Sequence, residues 1–383
     1  MKRTIQMTCC LVLIVLASVL LFTSCAPQLG LAGRDARLIS SSQFKDGKFF
    51  NTIETRVSTA SGNRLGSLLE FFTDQQKREP EAVLPSIPVA VESIGATNGL
   101  RLTWLGHSTC LIEMDGQVIL TDPTFSDRAS PFTFLGPKRF GTALPLQLKD
   151  VPKVDIVLIS HDHYDHLDYR SIKALIDKTS LFCVPLGVGG HLEYWGVPRN
   201  KIVEMDWWQE QSNKGIKLVA TPARHFSGRW LVRDKTLWSS WVIQGQKHRI
   251  FFGGDSGYFD GFRSIGDKYG PFDLTLLESG AYNEAWSEIH MMPEETVQAH
   301  IDLKGKVLLP IHWGQFNLSL HNWTEPIERL LAEANRRDVS VATPLMGQPV
   351  EDPLGIPYAA WWHIPKDKIA KTGDSESPPM QRL

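Results

Sequence analysis

Within six residues the chain places four side chains that can bind a metal: His161, His163, Asp165 and His166, in the pattern His-x-His-x-Asp-His. Imidazole nitrogens and carboxylate oxygens suit zinc, iron or manganese. Neighbours in one loop can also point to two different ions. A solvated polar turn would rarely gather three histidines and two aspartates directly after an apolar run. Four ligands do not complete two metal sites, so others belong elsewhere in the chain. His225, Asp255 and His312 answer that need, each just past a further apolar run. A lone histidine in such a place is more often structural; three of these positions beside the first motif reverse that weighting.

These residues need strands to hold them. The run 154–159 reads as a buried strand that feeds the motif into a loop at its end. Before it, strands are expected over 100–105, 109–114 and 117–121, the last two joined by Asp115-Gly116, a strong hairpin signal. After it come a helix over 169–178 and strands over 181–185 and 201–206, flanking a small helical piece. Strands over 216–221, 237–244 and 249–252 precede His225 and Asp255, with Gly253-Gly254 permitting a tight turn and close approach to an ion. A helix over 294–303 opens with Pro293 and two acidic residues. A strand over 306–311 then leads to His312, and a helix covers 324–336. Strands with helices between and after them imply sheets covered by helices.

The 383 residues suffice for one large domain or two ordinary ones, and 42% hydrophobic content provides a sizeable core. A net charge of −2 gives no bulk electrostatic case for nucleic acid. Five cysteines without paired spacing do not indicate a disulfide framework. Residues 1–25 read as a targeting segment: Lys2 and Arg3, an apolar run over 7–22, then Leu-Phe-Thr-Ser-Cys25, similar to the lipobox of bacterial lipoproteins. Phe22 departs from that pattern, which leaves an uncleaved signal anchor as the alternative to lipidation at Cys25. Either way an exported protein of the bacterial cell envelope, held at a membrane, is expected. Residues 26–98 read as a tether and N-terminal extension, loosely ordered to about residue 63, with a core-covering helix over 64–72. The catalytic domain is expected over 99–365 and a frayed tail over 366–383.

The stretches Trp104-Leu-Gly-His107-Ser-Thr, Leu120-Thr-Asp122-Pro123, Gly136-Pro-Lys138-Arg139-Phe140, the His161 motif with Leu167-Asp168, and Asp206-Trp207-Trp208 share a further property. So do Gly254-Asp255-Ser-Gly-Tyr258, Gly270-Pro-Phe-Asp273, Gly280-Ala-Tyr282, His290 with Pro293-Glu294-Glu295, and Ile311-His312-Trp313-Gly314. Together they resemble the metallo-β-lactamase superfamily and, within it, the N-acylphosphatidylethanolamine phospholipase D group, over about residues 100–325. The resemblance implies an α/β fold, an αββα sandwich with a dinuclear metal centre at one edge. It implies that His161, His163 and His225 hold one ion, that Asp165, His166 and His312 hold the second, and that Asp255 bridges them. Zinc is the first expectation, with iron or manganese as alternatives. It places His290 in the site, on a phosphoryl oxygen or the leaving group, and His107 behind the ligands, orienting one of them. Lys138 and Arg139 are candidates for attracting an anionic headgroup, with a solvated pair as the alternative.

The expected activity is hydrolysis of N-acylphosphatidylethanolamine-like phospholipids to phosphatidic acid and an N-acylethanolamine, by a hydroxide held between two cations that also clamp the phosphoryl oxygens. Asp165, Asp255 and His290 carry the catalytic roles in this reading. The lipid anchor would hold the site where its substrate resides, and a homo-oligomer is left open. The same metals would also serve a soluble phosphorylated ester or lactone. A non-catalytic metal-binding surface lipoprotein is the reading from another class, disfavoured because all seven ligands are present. Twelve tryptophans are many for this length; Trp207, Trp208, Trp230, Trp286 and Trp313 lie near the site in sequence order, but core packing accounts for most such residues.

Overall fold

A computed structural model of the chain describes residues 27–33, 36–57, 76–95, 97–141, 143–351 and 360–363. The targeting segment with Cys25, the helix expected over 64–72 and the tail over 366–383 lie outside the described residues. Among the described residues no helix is long and apolar enough to cross a membrane.

Two sheets stack face to face. The first is built from β1 (Leu100–Gly106), β2 (Thr109–Met114), β3 (Gln117–Thr121), β4 (Val154–Leu158), β5 (Thr179–Pro185) and β6 (Ile202–Met205), side by side in that order. β1 to β3 are antiparallel; β3 to β6 are parallel, with α1 (Tyr169–Leu175) and α2 (Val188–Tyr194) in the crossovers. The second sheet comprises β7 (Glu210–Asn213), β8 (Ile216–Thr221), β9 (Ser240–Gln244), β10 (Arg249–Phe252), β11 (Phe272–Glu278) and β12 (Gly305–Ile311), again side by side in chain order. Helices α3 (Gly261–Tyr269), α4 (Pro293–Asp302) and α5 (Glu325–Arg336) cover its outer face, and β13 (Pro349–Glu351) returns to the first sheet beside β1.

The strand periodicity explains the layering. In β2, Cys110, Ile112 and Met114 face the second sheet while Leu111 faces α1 and α2; in β8, Leu218 and Ala220 face inward while Val219 faces the other helices. Alternate residues thus feed three contiguous apolar clusters, and the result is the expected αββα sandwich. At Asp115-Gly116 both residues take positive φ, 50° and 74°, as a two-residue hairpin turn requires.

Four of these elements went unread in the sequence: β7, α3, β11 and β13. α3 begins at Gly261 and contains Gly266, both poor helix formers, and is held by Phe262, Ile265 and Tyr269 against the sheet. β11 is buried on both faces between two parallel neighbours, and its alternation, Phe272-Asp273-Leu274-Thr275-Leu276, is short and gives way to Leu277-Glu278. The strand expected over 237–244 begins only at Ser240. Leu237 and Ser239 instead donate their amides across the sandwich, to the carbonyls of Leu186 and Ser160.

The expectation of a loosely ordered lead-in is corrected. Leu38 and Phe49 are buried with Trp207, Leu237 and Trp238, Arg37 pairs with Glu204 at 2.6 Å, and Trp195 donates to the carbonyl of Pro27. Residues 27–33 and 36–57 are therefore packed on the sandwich, with Leu38, Phe44 and Phe49 in the apolar cluster that holds Trp207 and Trp238. The composition that reads as a tether contains no periodicity to announce this.

Candidate metal centre

All seven expected ligands lie at strand ends along one edge of the sandwich. After β4, Trp241 donates to the carbonyl of Ile159, and the carbonyl of His163 accepts from the amides of His166 and Leu167, curling the loop into a turn. Asp168 closes that turn as the N-cap of α1: its carboxylate accepts from Arg170 N, from Ser126 and from the Ser171 hydroxyl. From the second sheet, Asp255 follows β10 across Gly254, whose φ is 57° and whose missing Cβ would stand 2.6 Å from the Cβ of Ser160. The glycine is needed for that close approach of the two loops. His312 follows β12 at φ 64°, its amide donating to the carbonyl of His107.

The side chains converge as two trios. His161 Nε2 and His225 Nε2 lie 2.8 and 3.3 Å from His163 Nδ1. His312 Nε2 lies 3.1 Å from His166 Nε2, with Asp165 Oδ2 3.3 and 3.4 Å from the two. Asp255 Oδ2 stands between the trios, 3.1 Å from His312, 3.2 Å from His166, and 3.9 Å from both His161 and His225. Its Oδ1 is buried with no hydrogen-bond partner. An unpartnered buried carboxylate oxygen is costly unless something cationic meets it. Together with a donor set of imidazole and carboxylate, this fits divalent metal ions.

The far side of three of the rings is tied down, which decides which nitrogen faces inward. His225 Nδ1 donates to the carbonyl of Ile289 at 2.9 Å, His166 Nδ1 meets Asp122 Oδ2 at 2.7 Å, and His161 Nδ1 meets the Ser160 hydroxyl at 2.9 Å. Each contact leaves Nε2 for the centre. Burial, reinforced by neighbouring imidazoles, holds His161 well below the usual histidine range. His225 is held well below that range too, by burial outweighing the Asp255 carboxylate. Burial would also lower His166 and His312, but Asp255 and Asp165 outweigh it, raising His166 well above its ordinary value and His312 to about 10. Conversely both carboxylates are held well below theirs against burial, chiefly by His166. The protons that balance these carboxylates stand where divalent cations would compete with them.

The other expected residues divide. His107 Nε2 meets Asp165 Oδ2 at 3.0 Å, behind the trio, and burial together with His312 holds it at about 3, neutral. His290 lines the cavity over the centre, about 260 Å³, with Phe226, Trp286 and Leu318 on the walls. Its Nδ1 donates to Glu278 Oε2 at 2.7 Å, and the carboxylate raises it above its ordinary value against burial. Lys138 is exposed on an adjoining groove of about 550 Å³ that shares Trp286 and Leu318 with the cavity. Arg139 is not brought there: it is buried, donates to the carbonyls of Thr124 and Ser126, and stacks on Phe316. Of the tryptophans, Trp286 reaches the cavity, Trp207 and Trp313 are core, and Trp208 and Trp230 are exposed elsewhere.

Three contributors escaped sequence reading. Glu278 ends β11, fully buried, and its carboxylate accepts from the amides of Ser256 and Met291 as well as from His290. A carboxylate closing an apolar strand was the available signal. Asp122 stood in a quoted motif without a role. Asn51 clasps the backbone of His225, donating to its carbonyl at 2.7 Å and accepting from its amide at 3.1 Å. Nothing in the sequence around Asn51 marks it.

A family model described as the beta-lactamase superfamily domain matches residues 117–313. An uncharacterised protein of Mycobacterium tuberculosis is 46% identical over 346 residues, 88% of this chain and 92% of its own length. The N-acyl-phosphatidylethanolamine-hydrolyzing phospholipase D 1 of Caenorhabditis elegans is 33% identical over 290 residues, 71% of this chain and 81% of the worm protein. Among solved structures, Igni18, a metallo hydrolase of Ignicoccus hospitalis, aligns with a TM-score of 0.53 at 23% identity, covering 66% of this chain and 97% of its own, a likeness of fold alone.

Proposed function

We propose, for a chain that belongs to the metallo-β-lactamase superfamily and its N-acylphosphatidylethanolamine phospholipase D-like group, and is a metal-dependent hydrolase, that the substrate is an N-acylphosphatidylethanolamine-like phospholipid. In this reading His161, His163 and His225 would hold one ion, Asp165, His166 and His312 would hold the other, and Asp255 would serve both. The observation that carries it is Asp255 Oδ2, which is within 3.9 Å of imidazoles from both trios while Oδ1 has no partner. Two divalent ions, zinc first and iron or manganese by supply, would activate a water and neutralise phosphoryl charge.

The chain's own residues do the rest. A bond forms between the water oxygen and phosphorus, and the bond from phosphorus to the ethanolamine oxygen breaks. The products are phosphatidic acid and an N-acylethanolamine. His290, its Nδ1 engaged by Glu278, holds a proton on Nε2 for the departing alkoxide, and one proton of the water replaces it. Phe226, Trp286 and Leu318 keep bulk water from the cavity, and Lys138 attracts the anionic lipid along the adjoining groove. A lipid anchor at Cys25 on an exported chain would hold this site at a membrane.

The test is metal-loaded full chain with N-acylphosphatidylethanolamine in mixed micelles, beside a His163→Ala variant. Release of N-acylethanolamine by the intact protein alone supports the reading. Metal-dependent cleavage of bis(p-nitrophenyl) phosphate with no cleavage of the lipid overturns the substrate and leaves the centre standing.

A further inference from the structure

Exposed large apolar side chains gather at one place on this surface. A hairpin, residues 228–233, ends in Trp230 and Leu231, 51% and 85% exposed, followed by Val232 at 51%. Phe132 packs against Trp230 at 5.8 Å and against Phe134 at 5.7 Å, which joins to them the exposed loop tip Phe134-Leu135. Behind the hairpin, a cavity of about 610 Å³ is walled by Leu29, Leu31 and Ile39 of the N-terminal segment together with Trp230 and Val232. Trp230 has φ 57°, a left-handed backbone in which glycine is unstrained and a bulky side chain is not. Folding stability would favour glycine at this turn and polar residues after it. A strained turn that keeps three apolar side chains in water therefore points to contact with something apolar.

Position and charge say what that is. The hairpin adjoins the metal cavity: Phe226 lines the cavity, and Arg233 lies 4.9 Å over the Phe226 ring. The chain also enters the domain here, since Leu29 to Gly33 wall the apolar cavity. The apolar run 7–22 ends five residues before Pro27, at most about 18 Å of extended chain. Arg233, Lys235 and Lys138 stand exposed around the apolar tips, where anionic headgroups would lie.

We propose that Trp230, Leu231, Val232, Phe134 and Leu135 form a bilayer-docking face that sinks into the lipid interface and sets the mouth of the metal cavity at the headgroup layer. The face supplies orientation, which a tether at one point of the chain alone would not. It rests on the reading of the substrate as a membrane lipid, and its test includes a readout that needs no substrate.

Leu231→Cys in the full chain, with Cys9, Cys10 and Cys25 changed to serine, would carry an environment-sensitive probe in phosphatidylethanolamine–phosphatidylglycerol vesicles. Lys247→Cys, on the hairpin between β9 and β10 at the opposite end of the sheet from Asp255, is the control. Quenching by brominated acyl chains at 231 and not at 247 supports the face, whether or not the lipid is cleaved. In parallel, Trp230→Ser/Leu231→Ser should raise the apparent KM on lipid vesicles roughly tenfold, leave kcat within about twofold, and leave bis(p-nitrophenyl) phosphate turnover unchanged. Equal quenching at the two positions overturns the proposal and makes the patch a protein contact. An equal loss on the soluble diester overturns it as well, because the hairpin then serves only to shape the site.

Discussion

The metal centre and the apolar face beside it are built on opposite terms. The centre is buried, stands on the ends of strands from both sheets, and has the rings of His166, His225 and His107 directed by Asp122, the Ile289 carbonyl and Asp165. The apolar face is exposed, stands on a two-residue turn with a strained Trp230 and on a loop, and is backed by an N-terminal segment rather than by a sheet. Chemistry needs ligands held to fractions of an ångström, which rigid elements provide. Contact with a fluid surface needs apolar area at the right edge, which a hairpin tip provides.

Substitutions should separate the two regions. The largest effect belongs to Asp255→Asn, which removes the charge of the carboxylate that stands between the trios: turnover of a soluble phosphodiester should fall on the order of 10³-fold, with lipid-vesicle association intact. Full activity with both metals bound would contradict the bridging role. Next, Glu278→Gln weakens the charge that raises His290, so kcat should drop roughly 10²-fold with little change in KM. A loss confined to KM would mean that His290 only binds. Asn51→Ala should weaken metal retention roughly tenfold in a chelator titration, because the backbone of His225 loses both of its clasping bonds. Unchanged retention would reduce the N-terminal segment to packing.

A scaffold prediction controls for these. His300 on α4 is buried against Thr275, far from the centre in the fold, and burial holds it at about 4. The unfolded state, near 6.5, binds the proton more readily, so stability from the neutral ring is complete above about pH 6.5 and is lost as pH falls toward 4. The loss is at most about 3 kcal/mol. Denaturant unfolding at pH 7 and 4.5 should show a smaller acid loss for His300→Gln than for the parent chain; equal losses would contradict it.

What the sequence made legible follows the same division. His161, His163, Asp165 and His166 announce themselves by density, and His225, Asp255 and His312 by their place after apolar runs. Their strands could be read because alternating or wholly apolar patterns survive in them. Glu278 was hidden because β11, buried on both faces, was not recognised, so a carboxylate at its end had no frame. Arg139, paired in sequence with the exposed Lys138, lies inward because its guanidinium meets the carbonyls of Thr124 and Ser126, contacts that no local pattern encodes. Asn51 and the partnership of residues 27–57 with the hairpin arise from contacts across more than 170 positions, which periodicity does not carry.

In the proposed reading seven side chains from both sheets form one dinuclear centre. The most direct test is the metal content of the purified full chain, measured by mass spectrometry beside Asp255→Ala. Two divalent ions per chain are expected in the parent, with a clear loss in the variant. Fewer than one ion per chain in the parent, after purification without chelators, would contradict it.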